Sequence, residues 1–407
     1  MTPLSSFELE LPMPRVLSSS EELDLTRQLA ARVASSTDYK LRLGHMLLLA
    51  DRFDELIELL EPIAASADSF EIYLWLAQAH LARETDSDTR RAKHYSHLAV
   101  GSASSTAARA NAYACLGKAY MRLGELEEAA EVLDRALQEN PHNKDAFKRL
   151  VALHLSRNQA ALALELVDRA LAGGVRHARV LAAHALALAR LDRIEEARAV
   201  FGLESYLSER VLEAPEGWAS IKQFNKDLAA EMQTHPNVRY GRYGVASMRS
   251  WRVDEPLMRR SPVLAAFLRE LRLEVMRYLS VLPVTASPWN NARPDKCAIR
   301  SWCVMVDDDG FEAWHVHQNG WLSGAYYVEV PDSISEGAST GGCIGFGLPE
   351  EIVGKACHDA FGLSIVRPRS GRLLLFPSHS YHRTFAHGGQ GRRICVAFDI
   401  ADNDPLH

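Results

Sequence analysis

Residues 110–141 read ANAYACLGKAYMRLGELEEAAEVLDRALQENP. Tyr113, Leu116, Gly117 and Tyr120 fall on one side of a predicted helix, and Ala129, Leu133 and Ala136 fall on one side of the next, which Pro141 closes. The small residues let the two helices approach closely, while the aromatic and leucine positions fill the groove between neighbouring pairs. A step of 34 residues meets Phe147, Leu150, Ala163, Val167 and Ala170 in the matching places, and a second step meets Leu181, Ala197 and Phe201.

The pattern resembles the tetratricopeptide repeat in nearly every signature position. Upstream, Leu76, Ala77, Ala92 and Ala99 fit a repeat with inserted residues around Thr85 to Thr89, and Leu43, Gly44, Leu60 and Pro62 fit a weaker one. About five repeats are expected over residues 40–205, more than the ~3 that a stable stack requires. Residues 1–39 are expected to be a lead-in, mobile to about residue 20, followed by a first helix. The apolar stripes are solenoid core. His80, His94, His97, His154 and His184 have no companion ligands at metal spacing and are expected to be packed or on the surface. The resemblance implies a protein or peptide partner on the concave surface of the solenoid.

With 407 residues the chain is too long for one ordinary core, so a second domain, 206–407, is expected. Hydrophobic residues make up 47% and charged residues 24%, and no run reaches the ~18 apolar residues of a membrane span. A net charge of -6 gives no broad basic field, so neither nucleic acid nor membrane is an expected partner. The six cysteines form no CxxC pair and no framework spacing, and the first twenty residues lack a basic start followed by an apolar run. A cytoplasmic protein is expected.

Between Ser205 and about Ala298 two helical patterns stand out, Trp218 to Gln233 and Ser261 to Leu279, the second opening with Ser-Pro as helices do. NVRYGRYGVASMRSWRV between them reads as turns and short strands. From Ile299 the texture becomes short β runs separated by glycine turns, which predicts a sandwich or small barrel. Within AWHVHQNGWLSGAYYVEVP, His315 and His317 lie two apart on an extended segment and so point to one face, where they can share a metal ion. GRLLLFPSHSYHRTFAH places His382 just past a strand, and RRICVAFDI opens a strand with Arg393, eleven residues after His382.

The H-x-H, LSGxYY, FPSxxxH and R-x-x-x-A-F elements, in this order and spacing, resemble the 2-oxoglutarate and iron(II)-dependent oxygenases, in a branch often joined to tetratricopeptide repeats. The resemblance covers about residues 298–402 and implies a double-stranded β-helix, or jelly roll, with buttressing helices. It implies iron(II), 2-oxoglutarate and O2 as cofactors and hydroxylation of a protein, peptide or carrier-bound substrate. Iron in such enzymes needs three open sites on one side, so the protein supplies three ligands, which places His315, residue 317 and His382 at the metal. The usual carboxylate position is His317 here. Either His317 completes a three-histidine set, or the site has two histidines with an open position or with a carboxylate such as Asp307, Asp308, Asp309 or Glu312.

The resemblance assigns an arginine to the far carboxylate of 2-oxoglutarate, for which a guanidinium offers a planar two-donor match. Arg393 is preferred to Arg392 by parity, since Arg392 shares a face with Ile394, Val396 and Phe398, whereas Arg393 falls with the small residues Cys395 and Ala397. Cys395 stands where relatives commonly have a serine that also contacts the carboxylate. Tyr326 and Tyr327 alternate across a strand, so one faces the cavity, and Tyr326 is assigned to the cosubstrate. Asn319 and Trp302 are candidates for positioning substrate, with Trp314 beside them, and His379 and His387 flank the site. A three-histidine dioxygenase of cupin type acting on a small molecule, and a non-catalytic repeat adaptor, are the alternatives.

Overall fold

The computed structural model describes residues 7–33, 36–282 and 287–403. Two compact units are present, one of Ser19–Leu166 and one of Met1–Ser18 with Val167–His407. The first unit is helical throughout: α1 (Ser19–Arg32), α2 (Thr37–Leu49), α3 (Phe53–Ala67), α4 (Phe70–Arg83), α5 (Asp86–Ser102), α6 (Thr106–Leu123), α7 (Leu126–Glu139) and α8 (Lys144–Ser156), with α9 (Ala160–Ala172) running past its end.

The opening stretch of sequence forms α6 and α7 for local reasons. Ser105 caps α6 by accepting the Ala108 N–H, and Gly124 ends it in the left-handed region that suits a residue without Cβ. At Gly117 a Cβ would lie 2.5 Å from Leu133, so glycine is what lets α7 seat its leucine against α6. Leu133 and Ala136 are fully buried there, and Asn143 caps α8 while its amide donates to Asn111 Oδ1 at 2.9 Å. His80, one of the histidines expected to be packed or on the surface, is buried between Asp88 at 2.8 Å and Glu61 at 3.1 Å.

The second unit holds the strands β1 (Glu8–Glu10), β2 (Ser208–Val211), β3 (Val238–Tyr240), β4 (Ser247–Asp254), β5 (Lys296–Glu312), β6 (Gly320–Glu329), β7 (Ile344–Phe346), β8 (Ser364–Val366), β9 (Arg372–Pro377), β10 (His382–Thr384) and β11 (Arg393–Asp402). A large sheet runs β2-β9-β6-β11-β5-β4-β3, with β1 beside β5, and a small one runs β10-β7-β8; all neighbours are antiparallel except β1 and β5, which are parallel. Helices α10 (Ala178–Arg190), α11 (Ile194–Phe201), α12 (Leu203–Tyr206), α13 (Ile221–Gln233) and α14 (Pro262–Val281) accompany them, with the short helices α15 (Pro288–Asn291), α16 (Asp332–Ser335), α17 (Glu350–Val353) and α18 (Lys355–Phe361). One face of the large sheet carries Ile394, Val396, Phe398 and Ile400 with Leu322, Tyr326 and Val328, buried with Phe224 and Leu228 of α13 and Phe267 and Leu271 of α14. The opposite face meets the small sheet, with Phe376 of β9 against Phe346 of β7 at 5.0 Å.

Two boundaries differ from those expected. Residues 7–10 are not a loose lead-in: Phe7 is buried in the second unit's core and β1 pairs in parallel with Lys296–Ala298. The solenoid, expected to reach residue 205, gives way earlier, because α10 and α11 pack with the β unit. His379 Nε2 donates to Val200 O at 2.9 Å, Ser380 Oγ to Phe201 O at 3.1 Å, and Arg198 reaches Phe361 O. Periodicity is set by local sequence, whereas tertiary contacts decide which unit a helix joins. No helix among the described residues is long and apolar enough to cross a membrane.

Candidate metal centre and anion pocket

His315 follows the end of β5 and His382 opens β10. The two form a single antiparallel bridge in which each backbone N–H donates to the other's carbonyl at 3.0 Å. His317 is tied to the other motif as well, its N–H donating to Ser378 O at 2.9 Å. The HxH segment and the FPS turn are thereby held together by backbone alone. Ring centroids lie 4.1 Å apart for His315 and His382, 5.2 Å for His315 and His317, and 4.9 Å for His317 and His382.

Each imidazole has its Nδ1 engaged. His315 Nδ1 donates to Ala313 O at 2.7 Å, His382 Nδ1 to Ser380 O at 2.9 Å, and His317 Nδ1 to Asp399 Oδ1 at 2.7 Å. A ring that donates from Nδ1 is left, when neutral, with a lone pair on Nε2. Potential ligand atoms of all three lie within 4.8 Å of one another, the geometry of a shared metal ion. Burial and the neighbouring His317 drive the pKa of His315 down to about 3, and burial followed by His315 and His317 holds His382 well below its ordinary value. Both are neutral donors at pH 7.

His317 belongs to a buried hydrogen-bonded group. Ser323 Oγ donates to Asp399 Oδ1 at 2.7 Å and lies 2.7 Å from Ser378 Oγ and from His317 Nδ1. Asp399, Ser323 and Ser378 are all buried. Trp302 lies on the same inner face, its ring edge-on to His317 at 4.9 Å.

Arg393 lies on that face too, sharing parity along β11 with Cys395, Ala397 and Asp399. It is 2% exposed, and it gives Nη1 to Gly342 O at 2.7 Å and Nη2 to Thr384 Oγ1 at 3.3 Å, while Nε has no partner. No carboxylate pairs with it among the described residues. Arg392, on the other side of the strand, is held by Asp307 at 2.9 and 3.0 Å. Cys395 is buried, and burial pushes its thiol up to about 12, so it stays protonated.

The assignment of Tyr326 to the cosubstrate is overturned. Its ring lies in the core with Phe267 at 4.9 Å, and its hydroxyl donates to Asn225 Oδ1 at 2.6 Å, on the face away from the histidines. Tyr327 is the inward tyrosine, opposite Cys395 in the ladder. Asn319 is in the turn between His317 and β6, and it is exposed. Trp314 turns outward, carrying the Arg383 guanidinium 5.6 Å from its ring. Asp308 and Asp309 are exposed and Asp307 is engaged by Arg392, so none of the three reaches the histidines. Glu312 is buried with an unpartnered Oε1, but it does not join the histidine cluster. His379 ties the turn between β9 and β10 to α11 as described above, and His387 accepts the Gly389 N–H at the end of a loop.

The sequence motifs assign no role to Asp399, Ser323 or Ser378. The signal for Asp399 was present, since a carboxylate in an otherwise apolar strand, six residues after Arg393 and so on its face, needs a buried partner.

No curated protein matches the chain. Among solved structures, a Pseudomonas putida prolyl-4-hydroxylase is 14% identical, with 50% of this chain and 96% of that one covered and a TM-score of 0.33. A thermophilic TPR protein of Thermus thermophilus is 23% identical, covering 42% and 91% respectively with a TM-score of 0.33, and a MamA protein is 23% identical, covering 41% and 90% with 0.34. Residues 110–143 match the family model of the tetratricopeptide repeat, and residues 300–399, which hold all three histidines and Arg393, match the one described as "Putative 2OG-Fe(II) oxygenase". The chain thus carries a segment similar to the tetratricopeptide repeat and, after it, a segment similar to the 2OG-Fe(II) oxygenase family.

Proposed function

We propose that the β unit is a 2-oxoglutarate and iron(II)-dependent dioxygenase that hydroxylates a protein, peptide or carrier-bound substrate recruited by the repeats. The observation that carries the reading is the joint presence, on one inner face, of three histidines with converging free nitrogens and a buried arginine lacking an anion. The donor set fits the metal: three neutral imidazoles suit iron(II) and occupy one side of it, leaving the rest for exchangeable ligands. Bound iron(II), with 2-oxoglutarate and O2, would supply the oxidising equivalent while 2-oxoglutarate is converted to succinate and carbon dioxide.

The chain's own part is placement. His315, His317 and His382 would hold the metal, with their Nδ1 acceptors fixing each ring. Arg393 would take the far carboxylate of 2-oxoglutarate through the donors that neutral oxygens leave unsatisfied, and Thr384, Cys395 and Tyr327 would line that end. Trp302 would shield the metal-facing side of His317 from water. Asn319, on the rim, is a candidate contact for a large substrate. The repeats would bring in the partner, as concave helical stacks do.

The absence, among the described residues, of a carboxylate from the histidine cluster favours one other reading, a three-histidine dioxygenase that uses no 2-oxoglutarate. Calorimetry of 2-oxoglutarate binding to the full chain, without air and with cobalt(II) present, separates the two. Metal-dependent binding that weakens about 30-fold or more in Arg393→Met, equivalent to about 2 kcal/mol or more, is expected. No binding in the wild type would sink the proposal and favour the three-histidine enzyme or an adaptor.

A further inference from the structure

We propose that Asp399 is a positioning residue that supplies, through His317, the negative charge a three-histidine ligand set lacks. The inference rests on the metal site proposed above and concerns how the chain compensates for having a histidine at residue 317.

The geometry is that of a carboxylate–histidine–metal relay. Asp399 accepts the Nδ1 proton of His317 at 2.7 Å, which fixes the tautomer, aims the ring and makes the other nitrogen a stronger donor. Ser323 holds the same carboxylate oxygen at 2.7 Å, and Ser323 is the residue opposite Asp399 in the β6–β11 ladder. The strand pairing itself therefore assembles the group. Gly320 belongs to it too, since a Cβ there would lie 2.4 Å from Ser378 Oγ and 2.8 Å from Asp399 Cγ. Backbone without a side chain is what leaves room for the carboxylate beneath the ring.

Asp399 is 5% exposed, and its one ion-pair contact among the described residues is His317. Arg300, its neighbour across β5, is exposed and makes no ion pair with it. A buried carboxylate with no fixed cation is strongly disfavoured unless positive charge reaches it. His317 is the route by which it can: a dication on the far nitrogen of the ring sits one imidazole away from the carboxylate. The anionic group usually bound directly to the metal is thus moved one residue outward and acts through a hydrogen bond.

Asp399→Asn separates charge from shape, because the amide oxygen still accepts the Nδ1 hydrogen bond. The measurement is cobalt(II) affinity of the purified full chain, by competition with a chelator, together with melting temperature with and without the metal. Asp399→Asn is expected to weaken cobalt(II) 10- to 100-fold. It is also expected to leave the metal-free melting temperature unchanged or raised, since an uncompensated buried charge has been removed. Ser323→Ala, which keeps the charge and removes only a donor, is expected to lose less than tenfold. A purely structural Asp399 would do the reverse, with a lower metal-free melting temperature or no folded protein in Asp399→Asn and unchanged affinity in whatever folds. Either of those results overturns the proposal. Failure of the parent reading looks different: the wild type would bind no cobalt(II), or bind it equally well in His382→Ala.

Discussion

Tyr326 and Tyr327 are adjacent yet serve opposite faces of β6, one bonded to Asn225 in the core and the other facing Cys395. Replacing Tyr326 by phenylalanine should lower stability by about 1–2 kcal/mol, because Asn225 keeps a buried acceptor with no donor, and should leave 2-oxoglutarate affinity alone. Tyr327→Phe should do the converse, raising the dissociation constant about fivefold, roughly 1 kcal/mol, with little change in melting. Chemical denaturation and calorimetry on the two variants check both. Parity is readable in β11, where bulky apolar residues alternate with small and polar ones, and Arg393 lies on the face shared with Cys395, Ala397 and Asp399. Parity fails for β6 because Gly320–Val328 is buried on both faces, so the strand carries no alternation to read. The pairing of Asp399 with His317 joins residues 82 apart, a relation that no local pattern encodes.

Elements were more legible than residues. The 34-residue step marked α6, α7 and α8, and the Ser-Pro start marked α14 with Ser261 as its cap. β1 was missed because three residues show no periodicity and its partner lies nearly three hundred positions away. The end of the solenoid was misjudged because α10 and α11 keep the repeat pattern while their contacts serve the β unit. Arg179 of α10 donates to Gln318, next to His317, and α11 accepts from His379 and Ser380, close to His382. A fragment of residues 206–407 should therefore melt well below a fragment of residues 167–407, since the buried Leu181 and Phe201 would be gone. Differential scanning calorimetry of the two tests this, and equal melting temperatures would show that the last helical pair contributes nothing to the β unit.

For the whole molecule, buried neutral histidines set the response to acid. Burial lowers His235 and His379 to about 4 from the 6.5 of an exposed histidine. Between those values the unfolded chain binds protons that the folded chain refuses, so stability is complete above about pH 6.5 and declines as pH falls toward about 4. Urea midpoints of the metal-free protein across this range should fall with acid, and less steeply in His235→Asn. A slope of the opposite sign would contradict the burial of these rings.

The proposed oxidising site joins the three histidines and Arg393. Its most direct test is succinate formation by the full chain in air with iron(II), ascorbate and 2-oxoglutarate, beside His382→Ala. Slow succinate production that requires iron and disappears in the variant is the predicted result. Iron-loaded protein that binds 2-oxoglutarate but yields no succinate, with or without candidate peptides, would contradict the account.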